Sequence, residues 1–197
     1  MIVGVLLAAG EARRFGSDKL LVDLGRGQCV AEAACASLRP AVDRLIAVVR
    51  PGADELAHRL ARAGAEISEF AKAAEGMGAS LAHGVALTPE AEAWLIALAD
   101  MPLVAPGAAL RVAGALRAGA RIAVPVMRGR RGHPVGFARA CFAALTALDG
   151  DHGARTILAQ NADRVVEIPI DDAWAWHDID TVDDVVTARR LFNRDSP

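Results

Sequence analysis

The chain has 197 residues, 53% of them hydrophobic and 23% charged, which suits one buried core and excludes a disordered chain. Twenty-two Lys and Arg stand against 24 Asp and Glu, a net charge of −2 with histidine neutral, so there is no global basic field to hold a nucleic-acid backbone. Aromatic residues are 4% and tyrosine is absent, which also excludes a base-stacking platform.

Ile2–Ala8 is a short apolar run that reads as a strand buried on both faces. It lacks a basic n-region and leads into Gly10 and a charged loop, so a first strand fits better than a signal segment. Cys29–Leu38 is Ala-rich, stops before Pro40 and predicts a helix. Arg44–Arg50 is a second apolar strand, Ala53–Ala63 a helix stopped by Gly64, and Ala65–Phe70 a shorter strand. Gly78–Leu87 follows a Gly-rich turn as a helix, Trp94–Ala99 is a fourth strand, and Pro106–Ala118 is a helix closed by Gly119. Arg121–Val126 and His133–Phe137 read as strands around the basic loop Arg128–Gly132. Ala138–Leu148 and Gly153–Gln160 read as helices, and Val165–Ile170 as a late strand.

This alternation predicts a single α/β domain over residues 1–197. It is Rossmann-like and three-layered, with a mostly parallel sheet, helices on both faces and an antiparallel edge from the strand pair around Arg128–Gly132. Cys29, Cys35 and Cys141 form no paired spacing, which points to a reducing cytosol and against a disulfide framework or zinc site. No segment is long and apolar enough to span a bilayer, so the expected location is cytoplasmic.

In an open parallel sheet, ligands sit beyond the C-terminal ends of the strands. The first such position runs from Leu7 through Ala8, Ala9, Gly10 and Arg14 to Lys19. Small residues let backbone amides approach a phosphate or base, and Arg14 and Lys19 add positive charge. A P-loop needs Gly-Lys followed by Ser or Thr, and a dinucleotide fingerprint needs GxGxxG; neither is present. Any one of these cations alone reads as a solvated loop residue, whereas the whole spacing after a buried strand favours phosphate.

Asp100 ends an apolar strand ahead of Met101-Pro102. A carboxylate there either holds a hard cation or caps a turn. In Asp178-Ile179-Asp180-Thr181, the two carboxylates alternate onto one side. Thr181 and Asp184 fit a capping pair for a final helix, which leaves Asp178 and Asp180 free for chemistry.

Leu-Ala-Ala-Gly-xxx-Arg-Phe-Gly-xx-Lys, Leu-Ala-Asp-Met-Pro and Asp-x-Asp-Thr resemble motifs of the molybdenum cofactor nucleotidylyltransferase family. The resemblance runs from Leu6 to about Asp184, although Val182 and Asp183 replace the Pro and Glu usual at the start of the last helix. It implies nucleotide contacts from Leu7, Ala8, Ala9, Gly10, Arg14 and Lys19, with Arg14 and Lys19 on the triphosphate. It implies that Asp100 and Asp180 hold Mg2+, with Asp100 joining Arg14 and Lys19 as catalytic residues. The Glu75–Ser80 segment is similar to the one that meets the nucleobase, through Gly78 and Ser80. Relatives that use CTP tend to read Ala-Ala-Gly where those using GTP read Ala-Gly-Gly, and this chain reads Ala8-Ala9-Gly10.

The basic loop and the Asp149–Arg155 turn admit two readings, solvated tips or a pocket for an anionic acceptor. Similarity to the cytidylylating branch favours the pocket, with Arg131, His133 and Arg155 on the acceptor. The implied activity is transfer of CMP from CTP to the phosphate of a molybdopterin-type cofactor, with a molybdenum hydroxylase receiving the product. The alternatives are GTP on the same cofactor, a sugar or polyol phosphate as acceptor, or a carrier of the cofactor without turnover. Trp174 and Trp176 read as core packing, with pterin stacking as the other possibility.

Overall fold

The computed structural model describes residues 1–10, 18–171 and 176–193. The chain runs through β1 (Ile2–Ala8), α1 (Val30–Leu38), β2 (Arg44–Val49), α2 (Asp54–Arg62), β3 (Glu66–Glu69), α3 (Met77–Ala86), β4 (Ala93–Leu98) and α4 (Pro106–Arg117). It continues through β5 (Ile122–Met127), β6 (Arg130–Arg131), β7 (Val135–Ala138), α5 (Phe142–Thr146), α6 (Arg155–Gln160), β8 (Val165–Pro169) and α7 (Val182–Phe192). The apolar runs become strands because both faces of the sheet are covered. Ile2 and Leu6 of β1 pack with Leu38, Leu56, Leu60 and Val112 on the α1, α2 and α4 side. Val3 and Val5 pack with Leu81, Val85, Leu145 and Ile157 on the α3, α5 and α6 side.

The sheet order is β3-β2-β1-β4-β7-β5-β6, with β8 parallel along the other side of β5. β1 lies between β2 and β4, parallel to both. The expected antiparallel pairing is present, but β7 lies inside the sheet, antiparallel to both β4 and β5. The two-residue β6 pairs with β5 alone, and β8 forms the edge on the far side of β5. β8 claims one side of β5, so the returning chain takes the other side and meets β4. The helix expected over Ala138–Leu148 is shorter, because Ala138 stays in β7 and a 3-10 turn precedes α5. At α7 the capping box expected from the sequence forms: the Thr181 amide donates to Asp184 Oδ2 at 2.7 Å, and the Asp184 amide donates to Thr181 Oγ1 at 3.3 Å.

His83 of α3 stacks on Phe70 with ring centroids 4.4 Å apart, and its Nε2 lies 2.8 Å from Ser68 Oγ. Burial holds its pKa below the ordinary value. The unfolded chain therefore binds this proton more readily than the folded one. The corresponding stability is present above about pH 6.5 and is lost as pH falls toward the folded-state pKa. His83→Asn is expected to flatten the decline in melting temperature between pH 7 and pH 5.5; an unchanged slope would remove His83 from the acid response.

Candidate active site

The C-terminal ends of β1 and β4 lie side by side, with Leu7 registered against Leu98. Asp100 lies two residues past the end of β4, and its carbonyl accepts the Ile179 amide at 2.9 Å. That bond ties the segment before α7 to the end of β4 and brings Asp180 across to Asp100. Lys19 opens a 3-10 turn capped by Asp18, whose Oδ1 accepts the Leu20 amide at 3.3 Å. From there Lys19 Nζ donates to Asp100 Oδ2 and Asp180 Oδ1, both at 2.9 Å. Three residues predicted separately thus meet at one point.

Burial of Lys19 works against its charge, but Asp100 and Asp180 outweigh it and hold the ammonium pKa above its ordinary value. Lys19 therefore stays charged across the neutral range. Two carboxylate oxygens that converge on one cation are hard donors suited to Mg2+. Among the described residues no group of three or more His, Cys, Asp or Glu forms a metal cage. A divalent ion held by this pair would complete its shell with water or substrate phosphate.

Arg50, just past β2, was not singled out from the sequence. Its Nη1 donates to the Gly10 carbonyl at 3.3 Å and its Nη2 to Asp18 Oδ2 at 3.0 Å. It therefore holds the chain on either side of residues 11–17. The Asp18 carboxylate, next to the phosphate-binding Lys19 of the sequence reading, has its charge met by this guanidinium. Arg14 falls in 11–17 and Trp174 in 172–175, both outside the described residues.

A cavity of about 370 Å³ opens beside this cluster, lined by Leu7, Ala9, Gly10, Lys19, Ser80 and Asp100 among others. Ala8 belongs instead to the core on the opposite face. Ser80 Oγ donates to the Gly76 carbonyl at 3.2 Å. Gly78 is not part of the lining, and its amide is committed to the Gly150 carbonyl at 2.7 Å.

A second cavity of about 610 Å³ is lined by Arg131, His133 and Arg155 together with apolar Leu81, Ile96 and Phe137. The basic loop and the later turn therefore reach one pocket. Arg131 pairs with Glu167 Oε1 at 2.9 Å, which offsets part of its charge. Burial pushes the His133 pKa down, so its ring is neutral at pH 7, with Nδ1 3.4 Å from the Ile96 carbonyl. Arg155 has no ion-pair partner among the described residues, which leaves it the cation best placed to meet an anion. Leu7, Met77, Leu98 and Asp151 line both cavities, so the two adjoin. Trp176 packs near Met101 and Ile170, a core role.

Residues 4–165 match the family described as the MobA-like NTP transferase domain. The chain belongs to this family. As a MobA-like NTP transferase it is a nucleotidyltransferase by family. It is 30% identical over 207 residues to the purine catabolism protein PucB of Bacillus subtilis (strain 168), covering 98% of this chain and 98% of that protein. The crystal structure of Rv0371c from Mycobacterium tuberculosis H37Rv is similar at a TM-score of 0.82 and 30% identity, covering 96% of this chain and 97% of that one. A structure of Rv0371c in complex with manganese matches at a TM-score of 0.79 and 29% identity, covering 96% and 98%. A nucleotidyl transferase from Methanothermobacter thermautotroptrophicus shares the fold at a TM-score of 0.85 and 23% identity, covering 100% and 99%. Among the described residues no helix is long and apolar enough to cross a membrane.

Proposed function

We propose that the protein transfers CMP from CTP to the phosphate of a molybdopterin-type cofactor and releases pyrophosphate, with Mg2+ held by Asp100 and Asp180. The observation that carries this reading is the meeting of Lys19, Asp100 and Asp180 beside two adjoining cavities. One cavity suits a nucleotide, and the other sets arginines around an apolar floor that suits an anionic heterocycle. The manganese complex of Rv0371c supports a divalent cation in this family.

The acceptor is a phosphate monoester whose second pKa is about 6, so it is already ionised at pH 7 and needs no general base. Its oxygen forms a bond to the α-phosphorus of CTP as the bond to the bridging α–β oxygen breaks and pyrophosphate leaves. Mg2+ supplies charge neutralisation at the phosphates. Lys19 adds a fixed positive charge at the same point, and Arg155 holds the acceptor anion. Neutral His133 can donate or accept a hydrogen bond without adding charge. Ala9 occupies the position at which the CTP and GTP signatures differ, and it lines the nucleotide cavity. Its methyl group takes room from the base, which favours a pyrimidine.

The test is pyrophosphate release with Mg2+ and molybdenum-loaded molybdopterin, with CTP and GTP supplied separately. Release with CTP alone supports the proposal. GTP alone reverses the base assignment, and release with neither overturns the acceptor assignment in favour of a sugar phosphate or a carrier role. Arg155→Ala is expected to raise the acceptor KM by about tenfold to a hundredfold, the value of one charge-assisted hydrogen bond, while the CTP KM stays constant. Equal changes in both KM values would place Arg155 elsewhere in the reaction.

A further inference from the structure

α3 begins without a side-chain cap. The leading amides of a helix need partners from outside it. Here the amide of Gly78 finds one far along the chain, in the Gly150 carbonyl at 2.7 Å. The acceptor-side turn thus caps the helix whose first residues line the nucleotide cavity.

The two turns meet with no room between them. A Cβ on Gly78 would stand 2.4 Å from the Asp149 carbonyl oxygen and 2.8 Å from that of Gly150. A Cβ on Gly76 would stand 2.4 Å from the Gly150 carbonyl carbon and 2.5 Å from Asp151 Oδ1. Most of these are backbone atoms that cannot swing aside. Gly76 also has φ +124, a conformation that side-chain-bearing residues rarely adopt. The two glycines therefore serve a backbone-on-backbone joint. On one side of this joint Gly76, Met77 and Asp151 line the nucleotide cavity, and on the other Met77, Asp151 and Arg155 line the acceptor cavity.

We propose that the Asp149–Asp151 turn positions the nucleotide cavity from the acceptor side, with Gly78 as the positioning residue that joins the two, so that one wall grips both substrates. This deepens the transferase reading and rests on it. In-line transfer needs the acceptor oxygen and the α-phosphorus held at a set approach, and displacement by about 1 Å can cost a hundredfold. A shared wall fixes that approach through the protein backbone.

Two measurements test this. In the wild-type protein, CTP with Mg2+ and no acceptor should slow amide hydrogen exchange in 149–154 as well as in 73–80. Slowing in 73–80 with none in 149–154 overturns the shared wall and leaves the nucleotide reading intact. No slowing in either segment overturns the nucleotide reading and the shared wall with it. In turnover assays, Gly78→Ala should raise the KM for CTP and the KM for the acceptor together and lower kcat by about tenfold to a hundredfold, the cost of a misplaced approach. A rise confined to CTP means independent walls and overturns the proposal. Should Gly78→Ala fail to fold, the exchange experiment on the wild-type protein decides.

Discussion

Replacing Asp100 by Asn is expected to lower turnover by about a thousandfold while the protein stays folded. The amide keeps the shape of the carboxylate and can still accept from Lys19 Nζ, 2.9 Å away. What is lost is a negative charge at the point where Asp180 and Lys19 also meet. If Asp100 holds Mg2+, the loss appears as a drop in kcat and a shift of the Mg2+ midpoint to higher concentration. The stability cost is modest, because the amide keeps the hydrogen bond and Lys19 keeps its ion pair with Asp180. Pyrophosphate release across a Mg2+ titration, alongside a melting curve, checks both parts. A loss of less than tenfold would reduce Asp100 to an anchor for Lys19.

Lys19→Ala should move two readouts in opposite directions. Without the ammonium, kcat/KM for the nucleotide falls by about a hundredfold to a thousandfold, since a preorganised charge at the phosphates is gone. Yet Asp100 and Asp180 then face each other without their shared cation, and like charges at close range favour binding of another. Mn2+ affinity measured without nucleotide should therefore rise. The ammonium competes for this position at neutral pH because the two carboxylates hold its pKa above the ordinary value. Weaker Mn2+ binding in the variant would show that the carboxylates are not the metal ligands. Equal Mn2+ binding would place the ion away from Lys19.

The layers of the fold were legible because parallel strands covered on both faces read as continuous apolar runs, as Ile2–Ala8 and Arg44–Val49 do. The place of β7 was not legible. Its neighbours β4 and β5 are chosen by competition for sheet edges, which no local pattern encodes. Among the site residues, local spacing left Lys19 and Asp100 with a structural reading each, the motif resemblance singled them out together with Asp180, and their mutual contact depends on the Ile179 amide reaching the Asp100 carbonyl. Gly78 drew attention as a glycine able to admit a base edge, and in the structure it admits another turn of the same chain. Arg50 carried only the weak signal of a cation after a buried strand. Its role rests on Gly10 and Asp18, contacts that exist only once β1 and β2 are paired.

Arg50 gives the interval 11–17 two moorings outside itself. One guanidinium thus sets the distance between Gly10, just past β1, and Asp18, beside Lys19. The spacing of the nucleotide site is thereby referred to β2, a strand that lends no residue to the lining of the cavity.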